Sequence, residues 1–156
     1  MKVLVTSDTH GNYGLISDFI LENNDIDLLI HAGDGVEDVE NIHYETDISY
    51  YVVKGNNDFF SNESYDKIID IENQRIFLSH GHRYGVDYTY DKLIEKAKEN
   101  KCNIIIHGHT HVYVNKYIDH ILILNPGTIF LPRDNNPGFL IMNIVDDNID
   151  IKRISV

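Results

Sequence analysis

The chain has 156 residues, close to the usual size of one domain, and we expect a single domain over residues 1–156. Its 25 acidic and 13 basic residues give a net charge of −12, which disfavours binding of long nucleic acid through a basic face. The single cysteine, Cys102, excludes an internal disulfide, and no apolar run approaches the roughly 20 residues that cross a bilayer. We therefore expect a cytoplasmic protein without a membrane partner, and the oligomeric state, monomer or homo-oligomer, stays open.

The first half of the chain alternates strands and helices. The hydrophobic pattern predicts strands over residues 2–7, 27–31 and 49–53, with helices over 13–23 and 36–42 between them. Alternation of this kind is typical of a parallel sheet.

The second half changes character. A hairpin is predicted from strands 68–71 and 76–79, and a helix over 89–100 precedes a strand over 103–107. The tail alternates like antiparallel strands in four further segments: 112–118, 121–125, 138–145 and 148–155. A parallel half followed by an antiparallel half predicts an α/β protein with two stacked sheets flanked by helices.

Short polar clusters follow five of the predicted strands. Side chains at the carboxyl ends of neighbouring strands converge on one crevice, where open α/β sheets bind their ligands. Carboxylate, amide and imidazole groups that converge there favour a divalent metal ion. The clusters are Asp8-Thr9-His10, Gly33-Asp34, Gly55-Asn56-Asn57-Asp58, His80-Gly81-His82 and Gly108-His109-Thr110-His111.

Each cluster taken alone also has an ordinary structural interpretation. Asp34 could be a turn or helix-cap residue, and a lone histidine such as His80 is often a hydrogen-bonded structural residue. His109 and His111 give a stronger signal, because two imidazoles at i and i+2 after a strand commonly chelate metal. Five such signals in the same relation to five strands favour a metal site over turns alone.

The order of these motifs resembles that of the calcineurin-like metallophosphoesterase superfamily. The compact size and the late Asn125-Pro126-Gly127-Thr128 segment resemble its small YfcE-type phosphodiesterases. This resemblance implies a four-layer α/β/β/α sandwich of two mixed sheets. It also implies a dinuclear centre, with Asp8, His10 and His111 on the first metal, Asn56, His80 and His109 on the second, and Asp34 bridging both.

The implied function is that of a metal-dependent phosphodiesterase. Such an enzyme hydrolyses small phosphoesters with a hydroxide that bridges two divalent metal ions. The mixed oxygen and nitrogen ligands suit manganese, nickel, iron, cobalt or zinc.

Two positions depart from the family pattern. Many members have histidine where this chain has Asn57, which can donate a hydrogen bond to a phosphoryl oxygen but cannot deliver a proton. His82 is the candidate for a substitute acid, and the alternative is an exposed loop histidine. The position three after Asp34, often aspartate in the family, holds Glu37, so Asp38 is not assigned as a ligand. Asp58 is expected to orient a neighbouring side chain.

Two other functions compete with the phosphodiesterase. A phosphomonoesterase could use the same site, although Asn57 favours diesters or activated esters. A non-catalytic scaffold similar to a retromer subunit is the rival of a different class, and retention of all seven ligands argues against it. Arg83 and Arg133 are the arginines placed to meet a second phosphate group.

Overall fold

The computed structural model describes residues 1–156 as ten strands, three α-helices and one 3₁₀ turn. No helix is both long enough and apolar enough to cross a membrane. In chain order the elements are β1 (Lys2–Thr6), α1 (Gly14–Glu22), β2 (Leu28–His31), α2 (Val36–Thr46), β3 (Tyr50–Val52), β4 (Asp66–Ile71), β5 (Gln74–Ser79), the 3₁₀ turn (His82–Tyr84), α3 (Asp91–Glu99), β6 (Ile104–Ile106), β7 (Tyr113–Ile118), β8 (Ile121–Pro126), β9 (Gly138–Val145) and β10 (Asn148–Ser155).

The strands form two five-stranded mixed sheets. The first sheet has the order β10-β9-β1-β2-β3, in which β1, β2 and β3 are parallel and β9 is antiparallel to both of its neighbours, β1 and β10. The second has the order β4-β5-β6-β8-β7, with a parallel centre and antiparallel edge strands. The two halves of the chain do not each form one sheet. β7 and β8 complete the second sheet, whereas β9 and β10 return to pair beside β1.

Alternating side chains place one apolar layer between the sheets and one on each outer face. In β1, Val3 and Val5 point between the sheets, while Leu4 packs against the helices α1 and α2. In β6, Ile104 and Ile106 likewise point inward, and Ile105 packs against α3. The resulting α/β/β/α layering confirms the expected four-layer sandwich.

Most element bounds agree with the sequence pattern to within two residues. The largest difference is α2, which continues to Thr46 beyond the predicted end at residue 42. Its last turn is polar and therefore lacks the apolar periodicity on which the prediction depended. The helix ends at Asp47, which adopts a left-handed φ of 64°.

The carboxyl ends of β1, β2, β5 and β6 open toward the same crevice between the sheets. The backbone N–H of Asp8 donates to the carbonyl of Gly33 at 2.9 Å, which joins the loops after β1 and β2. The backbone N–H of Gly108 donates to the carbonyl of His80 at 3.2 Å, which joins the loops after β5 and β6. These bonds hold the loops together in two pairs, one at the end of each sheet.

Candidate metal centre

The loops that carry the predicted ligands have unusual backbone conformations. Five of the seven ligands adopt left-handed φ values, which cost non-glycine residues about 1–3 kcal/mol each and cluster at functional sites. These residues are Asp8, His10, Asp34, His109 and His111.

Two glycines make room for the carboxylates. A Cβ atom on Gly55 would lie 2.2 Å from Oδ1 of Asp34, and one on Gly108 would lie 2.6 Å from Oδ2 of Asp8. Any larger residue at either position would displace the carboxylate. Gly55 and Gly108 are therefore required by their close approach to the carboxylates.

Asp8 is completely buried and presents one oxygen to the crevice. Its Oδ2 accepts hydrogen bonds from the Ser7 hydroxyl at 2.5 Å and the His109 backbone N–H at 3.0 Å. Its Oδ1 has no hydrogen-bond partner. That oxygen faces the Nε2 atoms of three histidines, at 3.3 Å for His111, 3.7 Å for His80 and 3.9 Å for His10.

The hydrogen bonds on the far side of two rings fix their tautomers. Nδ1 of His80 lies 2.7 Å from the carbonyl of Ala32, and Nδ1 of His111 lies 3.1 Å from the carbonyl of Leu131. A carbonyl only accepts, so Nδ1 donates in both rings, and a neutral ring keeps its lone pair on Nε2. Metal-binding histidines commonly have this arrangement.

The donor set therefore fits a cation. Lone pairs on Nε2 of His80 and His111 face carboxylate oxygens that also carry only lone pairs. A proton or a positive ion must lie between them, and several divalent ions accept this mixture of nitrogen and oxygen. The unpaired Oδ1 of Asp8 gains a partner in the same way.

The candidate ligand atoms form two overlapping groups. Within each group the atoms lie within 4.8 Å of one another, and Asp8 belongs to both. The first group is Asp8, His10 and His111, and the second is Asp8, Asp34 and His80. The sequence expectation gave the shared position to Asp34 alone, whereas the structure places Asp8 between the two groups as well.

Asp34 is held by the loop after β3. Its two oxygens accept hydrogen bonds from the backbone N–H and the side-chain amide of Asn57, each at 2.8 Å. Its Oδ2 lies 3.7 Å from Nε2 of His10 and 3.4 Å from Nε2 of His80, so it reaches a histidine of each group. Asn56 lies on the same side, with Oδ1 2.9 Å from Nε2 of His80.

Asp58 supports backbone rather than a side chain. Its carboxylate accepts four backbone N–H groups at 2.8–3.0 Å. The donors are Asp34, Gly35, Val36 and Gly55. The expectation that Asp58 orients a neighbouring side chain is wrong, because it fixes the turn that carries Asp34.

His109 is the predicted ligand whose nitrogen has a different partner. Its ring lies beside that of His80, with 5.2 Å between centroids, but its Nε2 lies 2.9 Å from Oδ2 of Asp87. Asp87 is an exposed carboxylate that follows the 3₁₀ turn, and no pattern in the sequence identified it. His109 therefore joins neither group.

His82 lies against the same cluster. Its ring centroid is 5.3 Å from that of His80 and 6.1 Å from that of His109, and its Nδ1 is buried without a hydrogen-bond partner. Burial and the neighbouring His80 lower the pKa of His82. His82 is thus half-buried beside the site rather than exposed in a loop.

A model of the calcineurin-like phosphoesterase superfamily domain matches residues 1–147. The chain belongs to this superfamily.

Curated relatives of this chain come from bacteria and archaea. A Mycoplasma genitalium protein named "Probable metallophosphoesterase MG207" is 33% identical over 156 residues, covering 96% of this chain and 91% of its own length. The Methanocaldococcus jannaschii protein named "Phosphodiesterase MJ0936" is 30% identical over 149 residues, covering 81% of this chain and 83% of its own length.

Solved structures show the same fold. A predicted phosphoesterase from Streptococcus pneumoniae has a TM-score of 0.86 at 25% identity, covering 99% of this chain and 88% of its own. Zinc-complexed Vps29 from Entamoeba histolytica has a TM-score of 0.78 at 24% identity, covering 99% of each chain. The latter likeness is one of fold.

Charge coupling within the candidate site perturbs its pKa values. Burial disfavours the charged form of Asp8, but the neighbouring rings of His111 and His80 outweigh it, so the pKa of Asp8 lies below its ordinary value. Burial likewise opposes protonation of His80, but Asp34 and Asp8 outweigh it and raise its pKa. Asp8 also raises the pKa of His111.

Two buried histidines behind the site were missed by the sequence reasoning. His31 accepts a hydrogen bond on Nδ1 from the Gly33 N–H at 3.1 Å, so its Nε2–H points to Thr9 Oγ1 at 3.0 Å. The Thr9 hydroxyl in turn donates to Asp38, which also accepts the Gly11 N–H at 2.8 Å. Asp38 thus braces the loop of His10.

His107 occupies the corresponding place in the second sheet. Its Nδ1 donates to the carbonyl of Gly108 at 2.9 Å, and its Nε2 accepts from the hydroxyl of Tyr90 at 3.0 Å. Burial lowers the pKa of His107 to about 4, and it lowers the pKa of His31 to about 4 as well. The signal that could have identified both is a polar residue that ends an apolar strand, as His31 does, or directly follows one, as His107 does.

Proposed function

We propose that this chain is a phosphodiesterase that hydrolyses small phosphoesters with two divalent metal ions. The observation that carries the proposal is the buried, unpaired Oδ1 of Asp8, which faces Nε2 atoms of three histidines. Uncompensated charge of this kind is costly unless a cation is bound.

The residues divide between two ion positions. Asp8, His10 and His111 would hold one ion, and His80 with Asn56 would hold the other. Asp34 would bridge the two, because its Oδ2 lies near a histidine of each group. His109 would join the second set by leaving Asp87, which requires a rotation of its side chain.

The bound ions would supply a hydroxide nucleophile near neutral pH and neutralise charge on the phosphoester. The chain's own residues position these components. Asp58 fixes the backbone of Asp34, and the Asp38–Thr9 pair fixes the loop of His10. Asn57 places an amide donor at the rim of the site, where it can bind a phosphoryl oxygen.

The choice of a diester rests on Asn57 and His82. The asparagine at position 57 cannot protonate a poor leaving group. Catalysis therefore favours esters whose leaving groups depart as stable anions. We propose His82 as the nearest imidazole available for proton transfer, since its ring lies beside His80. A strongly basic leaving group would depend on it.

The test uses metal-stripped protein with manganese, iron(II), cobalt, nickel and zinc restored in turn. We expect elemental analysis to find two ions per chain and bis(p-nitrophenyl) phosphate to be hydrolysed faster than p-nitrophenyl phosphate. Asp8→Asn is the matched control, since it removes one charge without changing the side-chain volume. Faster hydrolysis of the monoester would assign the site to a phosphomonoesterase, and no bound metal would remove the proposal.

A further inference from the structure

Two basic residues beside the metal centre contact one tyrosine ring. The guanidinium carbon of Arg83 lies 4.5 Å from the centroid of Tyr65, and Nζ of Lys54 lies 5.5 Å from it. Both distances are typical of cation–π contacts. Two positive charges therefore share one aromatic surface in a chain whose net charge is −12.

This basic cluster, formed by Lys54, Tyr65 and Arg83, adjoins the site directly. The ring of Tyr65 lies 5.6 Å from that of His82, which in turn lies 5.3 Å from that of His80. Lys54 lies two residues before Asn56 along the chain. The row of rings thus leads from the candidate ligands to Arg83.

Neither basic side chain of the cluster is neutralised. Lys54 donates a hydrogen bond to the carbonyl of Ser61 at 3.1 Å, and Arg83 is exposed and has no hydrogen-bond partner. Several other basic residues form ion pairs with carboxylates, and Lys54 and Arg83 do not. The paired residues are Lys2, Lys67, Arg75, Lys96 and Lys98.

The chemistry of the cluster suits a phosphate group. Arginine presents a planar fork of donors that matches phosphate oxygens, and stacking on an aromatic ring limits its motion. Tyr65 is only 38% exposed and is already covered by cationic side chains, so it is poorly suited to stack a nucleobase. The ligand that remains is an anion next to the scissile phosphate.

We propose that Lys54, Tyr65 and Arg83 form a subsite for a second phosphate group of the substrate. The preferred substrate is then a phosphodiester that carries a further phosphate beyond the bond that is cleaved. This inference rests on the function proposed above, since the first phosphate must lie at the metal centre.

The experiment measures binding rather than turnover. Manganese-loaded protein is titrated calorimetrically with thymidine 5′-monophosphate and with thymidine 3′,5′-bisphosphate, which differ by one phosphate. We expect the bisphosphate to bind about tenfold more tightly, the order expected of one charge-assisted hydrogen bond. Added salt should reduce this preference, because the cluster is exposed.

Variants locate the preference. Arg83→Gln should bring the affinity ratio close to one, and Arg83→Lys should keep part of it. Lys152→Gln, which removes the same charge from exposed β10, should leave the ratio unchanged. Tyr65→Phe should retain the ratio, whereas Tyr65→Ala should reduce it because Arg83 loses its platform.

Several results would overturn the subsite. They are equal affinity for the two nucleotides in the parent protein, absence of binding by both, or an unchanged ratio in Arg83→Gln. Loss of the ratio in Arg133→Gln alone would place the second phosphate beside His111 instead. Hydrolysis of bis(p-nitrophenyl) phosphate is assayed separately in the parent, so failure of the proposed function is distinguished from failure of the subsite.

Discussion

Two sets of histidines lie at the same ends of the sheets but behave in opposite ways. The front histidines, His80 and His111, face the carboxylates of Asp8 and Asp34, and their pKa values are raised. The back histidines, His31 and His107, face hydroxyls and backbone groups, and burial lowers their pKa values to about 4.

Burial alone does not explain the difference. His80 and His31 are both 0% exposed, yet their pKa values move in opposite directions. The partner decides, because a carboxylate stabilises the imidazolium, whereas a threonine hydroxyl offers no net charge. The front set can therefore share a proton or a bound cation with the carboxylates, whereas the back set remains neutral and holds loops in place.

The largest effect should come from the carboxylates associated with the two sets. Asp34→Ala removes the oxygen that reaches a front histidine of each group, and we expect kcat/KM to fall at least about a thousandfold, equivalent to several kcal/mol of metal-derived stabilisation. Asp38→Ala only releases Thr9 and Gly11 on the back side, and we expect a loss of about 10–100-fold. Steady-state kinetics with saturating manganese measure both. Equal and severe losses in both variants would mean that Asp38, like Asp34, acts directly at the metal centre.

The back set should control the acid stability of the metal-free protein. The folded pKa of His31 is about 4, below its ordinary value of 6.5, so the unfolded state binds more protons between these values. The contribution of neutral His31 to the free energy of unfolding is present above pH 6.5 and is lost as the pH falls toward 4.

The change from pH 7 to pH 5 should cost about 2 kcal/mol from His31. Urea unfolding at the two pH values should show this much less pH dependence in His31→Gln than in the parent protein. His120→Gln, at an exposed turn, is the control and should retain the parental dependence. If His31→Gln keeps the pH dependence of the parent protein, the pKa of His31 must be the same in the folded and unfolded states.

The front set should add further stability when ions are bound. Ligands that bind the folded state stabilise it by about 2.7 kcal/mol at one hundred times Kd. For a chain of this size, chelation should lower Tm by roughly 5–10 °C, as followed by circular dichroism. The chain should stay folded, because three apolar clusters hold the layers together. Asp34→Ala should show little shift, and complete unfolding in chelator would make the ions structural.

The smallest expected effect concerns the missing proton donor at position 57, beside the front set. Asn57→His should speed hydrolysis of alkyl esters about tenfold, below the usual gain from an optimised general acid, and nitrophenyl esters much less. His82→Ala should slow alkyl esters selectively if His82 supplies the proton. The ratio of the two rates is the measurement. A flat dependence on leaving-group pKa in the parent, with chemistry rate-limiting, would contradict the premise.

The sequence by itself determined the strands, the helices and the polar clusters at the strand ends. Apolar alternation in β1 and β6 is a local property, so Val3, Val5, Ile104 and Ile106 could be read as one face without knowledge of partners. The motif order from Asp8 to His111 likewise fixed the family. These features depend on spacing along the chain alone.

Only the tertiary structure decided how those pieces pair. The pattern of β9 resembles that of β8, yet β9 joins the first sheet beside β1, because pairing depends on which edge the chain reaches. The Nε2 of His109 meets Asp87, and the Nε2 of His31 meets Thr9, from elements 22 residues away in each case. A hydrogen-bond partner is set by distance in space, and local spacing carries no record of it.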